Sequence, residues 1–278
     1  MLSEPDLVAQ LRGAAAEIRA LTLRMMNAIG SGHVGGAMSV VDALTLLYFF
    51  RMRIRPEDPG WPDRDRLVLS KGHAGPALYA ALAVRGYFPA EDCLTLNRPG
   101  TRFPSHCDMR KTPGVDMTAG SLGQGLSAAV GMALAGRLDG KGYKTYCIIG
   151  DGEAQEGQIW EALMYGAQQK LENLVVLLDY NRMQIDGTVD EINSLEPVAE
   201  RFAAFRYFVR RVDGHDFAAM DAALDEAERA AQPSVIILDT VKGRGAPFAE
   251  GQVTSHHMPV TDEGLADALS ALAVTGRE

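Results

Sequence analysis

The sequence predicts an α/β fold: a doubly wound, mostly parallel sheet with helices on both faces. Two observations carry this. Short, near-continuous apolar runs such as "LVVLLD" (174–179) and "SVIILDTV" (234–241) have the pattern of strands buried on both faces. These runs alternate with longer amphipathic segments, as a parallel sheet with crossover helices requires. A length of 278 residues suits one large domain, and the absence of an internal repeat favours a single domain over 1–278.

Taken in order, Leu7, Leu11, Ala14, Ile18, Leu21 and Met25 recur every three to four residues and predict a helix over 5–28. "SGHVGGAM" (31–38) interrupts it, and Ser39 is placed to cap a second helix over about 40–50. "DRLVLSKGHAGPAL" reads as a strand at 66–70, a glycine-rich turn and a helix from about Pro76. Residues 86–120, with Pro89, Pro99, Pro104 and Pro113, form a long loop region, which in a compact domain is usually functional or disordered. Its apolar residues (Phe88, Leu94, Leu96, Phe103, Met117) argue against disorder. Beyond it, helices are expected at 123–138, 157–170, 197–204, 216–230 and 262–273. Strands are expected at 144–149, 174–179, 206–212 and 234–241.

Composition narrows the function classes. A formal net charge of −9 and the lack of a basic run speak against a nucleic-acid partner. Apolar runs are too short or too interrupted by charge to span a bilayer. The acids early in an amphipathic N-terminus exclude a signal peptide. Three cysteines without metal or disulfide spacing fit a reducing compartment, so a cytoplasmic location is expected.

The chemistry concentrates at glycine-rich turns. Ligands of open parallel sheets bind at the carboxyl ends of strands. There, "GDG" (150–152) ends one strand and Asn181 follows the next. A carboxylate, a carboxamide and a nearby backbone carbonyl form an incomplete shell of hard oxygens, suited to Mg²⁺ or Ca²⁺ shared with phosphate and water. Gly152 allows close approach, and a helix starting near Gly157 favours an anion. Metal with diphosphate is one reading of Asp151; a cap for the following helix is the other. "GSLGQG" (120–125) has the wrong spacing and no preceding strand for a dinucleotide fingerprint, leaving a loop against a flat ligand or a plain helix start. His33, His73 and His106 stand among small residues or prolines, where an imidazole suits proton transfer and hydroxyl binding. A three-histidine metal site competes, without supporting spacing. In the loop 242–259, Lys242, Arg244, His256 and His257 either donate to anionic oxygens or belong to a solvated loop.

Together, "SGHVGGAMSVVDAL", "LSKGHAGPALYAAL", "GSLGQGLSAAVGMALA" and "GDGEAQEGQIWEAL" resemble the thiamine-diphosphate-binding half of transketolase, in the family's order. The resemblance implies the family's pyrophosphate-binding (PP-type) domain. Asp151, Asn181 and the Met183 carbonyl would hold Mg²⁺ or Ca²⁺. Gly152, Glu153, His73 and His256 would lie around the diphosphate. Gly120 and Leu122 would lie against the aminopyrimidine and Ile185 against the thiazolium. His33, His73 and His106 would meet the sugar. Glu156, with Glu161, would join a carboxylate network near the subunit interface.

Two motifs depart from the family. Ser105-His106-Cys107-Asp108 replaces Gly-His-Pro-Glu or Gly-His-Pro-Asp and puts a thiol near the site, and "SHHM" replaces a single histidine, leaving His256 and His257 to be distinguished. Full transketolases continue into pyrimidine-binding and C-terminal domains. The resemblance therefore implies a C-terminal partner subunit, in an α2β2 assembly, and ketol transfer between sugar phosphates. Competing readings are a split transketolase for a branched or sulfonated ketose, part of another thiamine-diphosphate enzyme, a noncatalytic regulatory paralogue and a nicotinamide dehydrogenase.

Overall fold

A computed structural model describes residues 5–275. Its first elements are α1 (Pro5–Ala28), β1 (Ser31–Gly32), α2 (Val34–Ser39) and α3 (Val41–Leu46), followed by a π turn (Leu47–Arg51). β2 (Arg66–Leu69), α4 (Gly75–Val84), α5 (Gln124–Leu138), β3 (Thr145–Gly150), α6 (Gly157–Gln168) and β4 (Leu174–Tyr180) come next. The chain continues through α7 (Val189–Asn193), α8 (Val198–Ala204), β5 (Phe208–Asp213), α9 (Phe217–Ala230) and β6 (Ser234–Asp239). It reaches β7 (Met258–Pro259) and α10 (Asp262–Thr275).

Five strands form one sheet in the order β2-β3-β4-β6-β5, every pair parallel. The central strands are apolar throughout because they are buried on both faces. Leu67, Leu69, Tyr146 and Ile148 pack into a core with α1, α3, α4 and α9, while Val68, Cys147 and Ile149 pack with α5, α6 and α8. Full burial of each such aliphatic chain contributes about 1.5–3 kcal/mol. The predicted α/β class and both helical layers are therefore present.

The expected helix over 40–50 is corrected. Helical structure already begins at Val34, breaks at Val40, resumes over Val41–Leu46 and ends in a π turn. Ser39 caps nothing, because its hydroxyl reaches across the molecule to Asp179 Oδ2 at 2.7 Å. The short helix α7 is additional, closed by a capping box between Thr188 and Glu191. A second sheet, also unforeseen, pairs β1 with β7 antiparallel, Ser31 opposite Pro259 and Gly32 opposite Met258. That ladder brings the histidine loops at 33 and 256–257 together.

Candidate active site

The carboxyl ends of β2, β3 and β4 and the loop after β6 surround a cavity of about 260 Å³. β3 and β4 are neighbours, with Gly150 opposite Asp179, so the two polar strand ends stand side by side. Asp151 is 3% exposed; its Oδ1 accepts from Gly152 N at 2.7 Å and its Oδ2 from Arg182 N. These bonds span the β3 and β4 exits rather than the start of α6, which is capped by Glu156 without a side-chain bond. The helix-cap reading of Asp151 is thus replaced. A 3₁₀ turn (Glu153–Gln155) also separates Gly152 from α6. Burial, then the neighbouring Asp179, pushes the Asp151 carboxyl up to about 7.

Asp179 is the hub beneath this turn. It is fully buried and takes the Lys71 ammonium, the Ser39 and Thr240 hydroxyls and the Asn181 carboxamide, whose Nδ2 lies 3.0 Å from Oδ2. Burial opposes its charge, yet Lys71 and the hydrogen bonds prevail and hold its carboxyl below the ordinary value. Asn181 Oδ1 accepts from Met183 N at 3.1 Å. Asp151, Asn181 and Met183 all line the cavity.

The donor set fits the metal and diphosphate expected of this turn. Asp151 supplies the carboxylate, which a cation would relieve of its desolvation cost. Among the described residues, no group of three or more His, Cys, Asp or Glu side chains is arranged to hold a metal ion. A carboxylate–carboxamide–carbonyl set of this kind relies on phosphate oxygens and water to complete its shell. The same lining carries a cation. Lys242 is 2% exposed, and its ammonium donates to the carbonyls of Gln184 at 3.1 Å and Val253 at 3.4 Å. Burial lowers its pKa to about 8, a cost that an anion at the cavity would offset. Gln184 also buries a carboxamide oxygen without a hydrogen-bond partner among the described residues.

Most of the site residues singled out in the sequence gather in or beside this cavity; Glu161 and Arg244 do not. Leu122, Gly152, Glu153, Glu156, Ile185, His73 and His256 line it. Glu153 is nevertheless occupied: its carboxylate accepts from Gly123 N at 2.9 Å, Gly150 N at 3.1 Å and Ser70 Oγ. It holds the 120–125 loop against β3, with Gly123 in the left-handed region at φ 87°. Glu156 and Glu161 are exposed, as are Leu122 and Ile185 at 37% and 63%. Glu161 stands apart from the cavity, beside Gln158 and Tyr165 on the outer face of α6. Gly120 sits beside His106, where an added Cβ would lie 3.7 Å from the ring.

The histidines form one cluster around His33. Its ring centroid lies 5.4 Å from His73, 5.5 Å from His106 and from His256, and 4.8 Å from His257. Burial, then His257, His256 and His106, pushes His33 down to about 4; burial, then Lys242 and Lys71, does the same to His256. Burial lowers His73 and His106 as well, with Lys71 the next influence on His73. These four imidazoles are therefore neutral near pH 7, able to donate and accept hydrogen bonds. His256, not His257, lines the cavity, which separates the two. Cys107 is 1% exposed and its thiol is pushed up to about 12 by burial, so the thiol expected near the site is sealed into the core.

Lys71 and Asp179 are functional neighbours that the sequence alone does not single out. The signal for Asp179 is an acid closing an otherwise apolar strand; Asn181 follows it directly, but its other three partners, Ser39, Lys71 and Thr240, come from elements far apart in the chain.

The family model for the thiamine diphosphate binding domain of transketolase matches residues 11–277. The chain belongs to the transketolase family. It is 54% identical over 267 residues to the 6-deoxy-6-sulfo-D-fructose transketolase subunit SqwG of Clostridium sp. (strain MSTE9), covering 96% of this chain and 97% of that one. It is 40% identical over 242 residues to an apulose-4-phosphate transketolase subunit of Phocaeicola vulgatus, covering 86% and 85%. Transketolase from Campylobacter jejuni superposes with a TM-score of 0.89 at 32% identity, over 95% of this chain and 42% of that one. This transketolase chain thus spans about two-fifths of that solved structure and most of the length of the two subunit relatives.

Proposed function

We propose that this chain is the thiamine-diphosphate-binding subunit of a two-chain transketolase whose donor is a ketose ending in a sulfonate. The observation that carries the reaction class is the single cavity shared by Asp151, Asn181, Lys242, His73 and His256, with the histidine cluster beside it. The 54% identity to a sulfofructose transketolase subunit supports the donor.

On this reading the chain supplies one thiamine-diphosphate-binding domain. A C-terminal subunit supplies the pyrimidine-binding side in an α2β2 assembly. Asp151, Asn181 and the Met183 carbonyl hold Mg²⁺ on the diphosphate; Gly152, His73, His256 and Lys242 meet the phosphate oxygens. Leu122 and Gly120 flank the aminopyrimidine, Ile185 flanks the thiazolium and Glu156 faces the partner. When bound, the cofactor supplies the carbanion chemistry that breaks and forms the C–C bond. His33, His73 and His106 orient the ketose and hold protons at its hydroxyls as the carbonyl oxygens change charge. The buried free thiols Cys93, Cys107 and Cys147 suit a cytoplasmic enzyme.

The test uses this chain assembled with its C-terminal subunit, thiamine diphosphate and Mg²⁺. With 6-deoxy-6-sulfofructose as donor and glyceraldehyde 3-phosphate as acceptor, removal of C1 and C2 leaves a four-carbon sulfoaldose and builds a five-carbon ketose phosphate. Mass spectrometry of both products supports the proposal. Equal or better turnover of fructose 6-phosphate overturns the sulfonate assignment, and no transfer from either donor overturns the ketol-transfer reading.

A further inference from the structure

Resting on that reading, we propose that His257 is a specificity-determining residue that binds the outward part of the ketose donor, beyond C1 and C2. The β1–β7 ladder pairs Ser31 with Pro259 and Gly32 with Met258, so continuation of the register sets His33 opposite His257. Directly opposed residues on antiparallel strands have Cβ atoms about 4.5–5.5 Å apart. The rings meet accordingly, centroid to centroid at 4.8 Å and nearly edge-on at 82°.

The two adjacent histidines divide the work by depth. His256 lines the cofactor cavity and its ring lies 5.2 Å from His73. His257 is exposed, lies outside that lining and makes no side-chain hydrogen bond among the described residues. His33 lies between them, 5.5 Å from His256 and 4.8 Å from His257. A donor whose carbonyl carbon reaches the cofactor and whose remaining carbons extend past His33 meets His257 next. An imidazole there can donate to a hydroxyl or an anionic oxygen and accept from a hydroxyl. The ligand class is a polyhydroxylated chain ending in an anion.

The assembled enzyme with thiamine diphosphate and Mg²⁺ tests this through His257→Ala and His257→Asn. Two donors are compared, each with glycolaldehyde as an acceptor that carries no such tail: 6-deoxy-6-sulfofructose, which carries the tail, and hydroxypyruvate, a ketol donor without one. Loss of one such hydrogen bond corresponds to about tenfold. His257→Ala is expected to lower kcat/KM for the sulfoketose about tenfold, mainly through KM, and to leave hydroxypyruvate turnover and cofactor Kd unchanged; His257→Asn recovers part of the loss. Equal losses with both donors, or no loss with either, overturn the role of His257 while wild-type transfer leaves the ketol-transfer reading standing. A wild-type complex inert with both donors overturns both.

Discussion

Asn181 Nδ2 donates to Asp179 Oδ2 at 3.0 Å, so the carboxamide at the end of β4 is turned with its oxygen away from the buried carboxylate. The same carboxylate neutralises Lys71, whose side chain is 2% exposed. One residue thereby orients a proposed metal ligand and anchors a buried cation. Asp179→Asn is expected to weaken Mg²⁺-dependent binding of thiamine diphosphate by about 10- to 100-fold, as outer-shell substitutions commonly do. It also leaves the Lys71 charge unpaired, at a cost of about 3–5 kcal/mol in folding stability. Calorimetric titration of the assembled enzyme and denaturant unfolding of this chain read the two effects separately.

Gly36 faces the histidine–lysine wall. A Cβ added there would lie 3.1 Å from His73 Nε2 and 3.5 Å from Lys71 Nζ, tight but against side-chain atoms and not backbone. Gly36→Ala is therefore expected to fold, gaining helix propensity of about 1 kcal/mol within α2. It is expected to weaken cofactor binding about tenfold or more by displacing His73. Retained cofactor affinity would contradict the placement of His73 at the diphosphate.

Protonation of His33 and His256 is opposed by burial and by their positive or potentially positive neighbours, and both are held near 4. Their unfolded-state value is about 6.5. Below that value the unfolded chain binds protons that the folded chain does not, so stability is full above it and falls as pH drops from about 6.5 toward about 4. Histidine-selective NMR is expected to find these two imidazoles titrating near pH 4. Midpoints at the ordinary histidine value would contradict the packed cluster.

Away from the cavity, Asp42 accepts both guanidinium nitrogens of Arg19, at 2.9 and 2.6 Å, and contacts His215 Nδ1 at 2.7 Å. Val241 N donates to His215 Nε2 at 2.9 Å, so the ring proton lies on Nδ1, toward Asp42. Arg19 Nε reaches the Arg244 carbonyl at 3.1 Å, and the triad thus grips both flanks of the Lys242 loop. Burial raises the Asp42 carboxyl, but Arg19 and His215 outweigh it and bring the pKa to about 2. Its stabilising contribution is present above about 3.9 and is lost as pH falls through about 2; a shift of this size corresponds to about 2–3 kcal/mol. Asp42→Asn is expected to cost about 3–5 kcal/mol, because it leaves Arg19 uncompensated. Urea unfolding as a function of pH checks both statements.

The parallel sheet is legible in the sequence because Leu174–Tyr180 and Ser234–Asp239 are buried on both faces, which demands unbroken apolar runs. Asp151, Asn181 and the loop histidines are legible because strand ends and glycine turns are where polar groups interrupt such runs. The start of α2 is hidden because Gly35 and Gly36 read locally as helix breakers, whereas tertiary packing requires small residues beside Lys242 and His73. Ser39 looks like a cap because its true partner, Asp179, is 140 residues away. The two-residue ladder β1–β7 is too short to leave a periodic pattern, although it sets the His33–His257 geometry. In contrast, α7 carries a readable signal in "TVDE", the Thr188–Glu191 capping box.

Whether Asp151 holds a divalent cation on thiamine diphosphate is tested most directly by calorimetric titration. Thiamine diphosphate is titrated into this chain assembled with its C-terminal subunit, with Mg²⁺ or with EDTA, for wild type and Asp151→Asn. Tight binding in Mg²⁺ that is lost in EDTA and in the variant is the predicted result. Binding of equal strength in EDTA, or by Asp151→Asn, would contradict it.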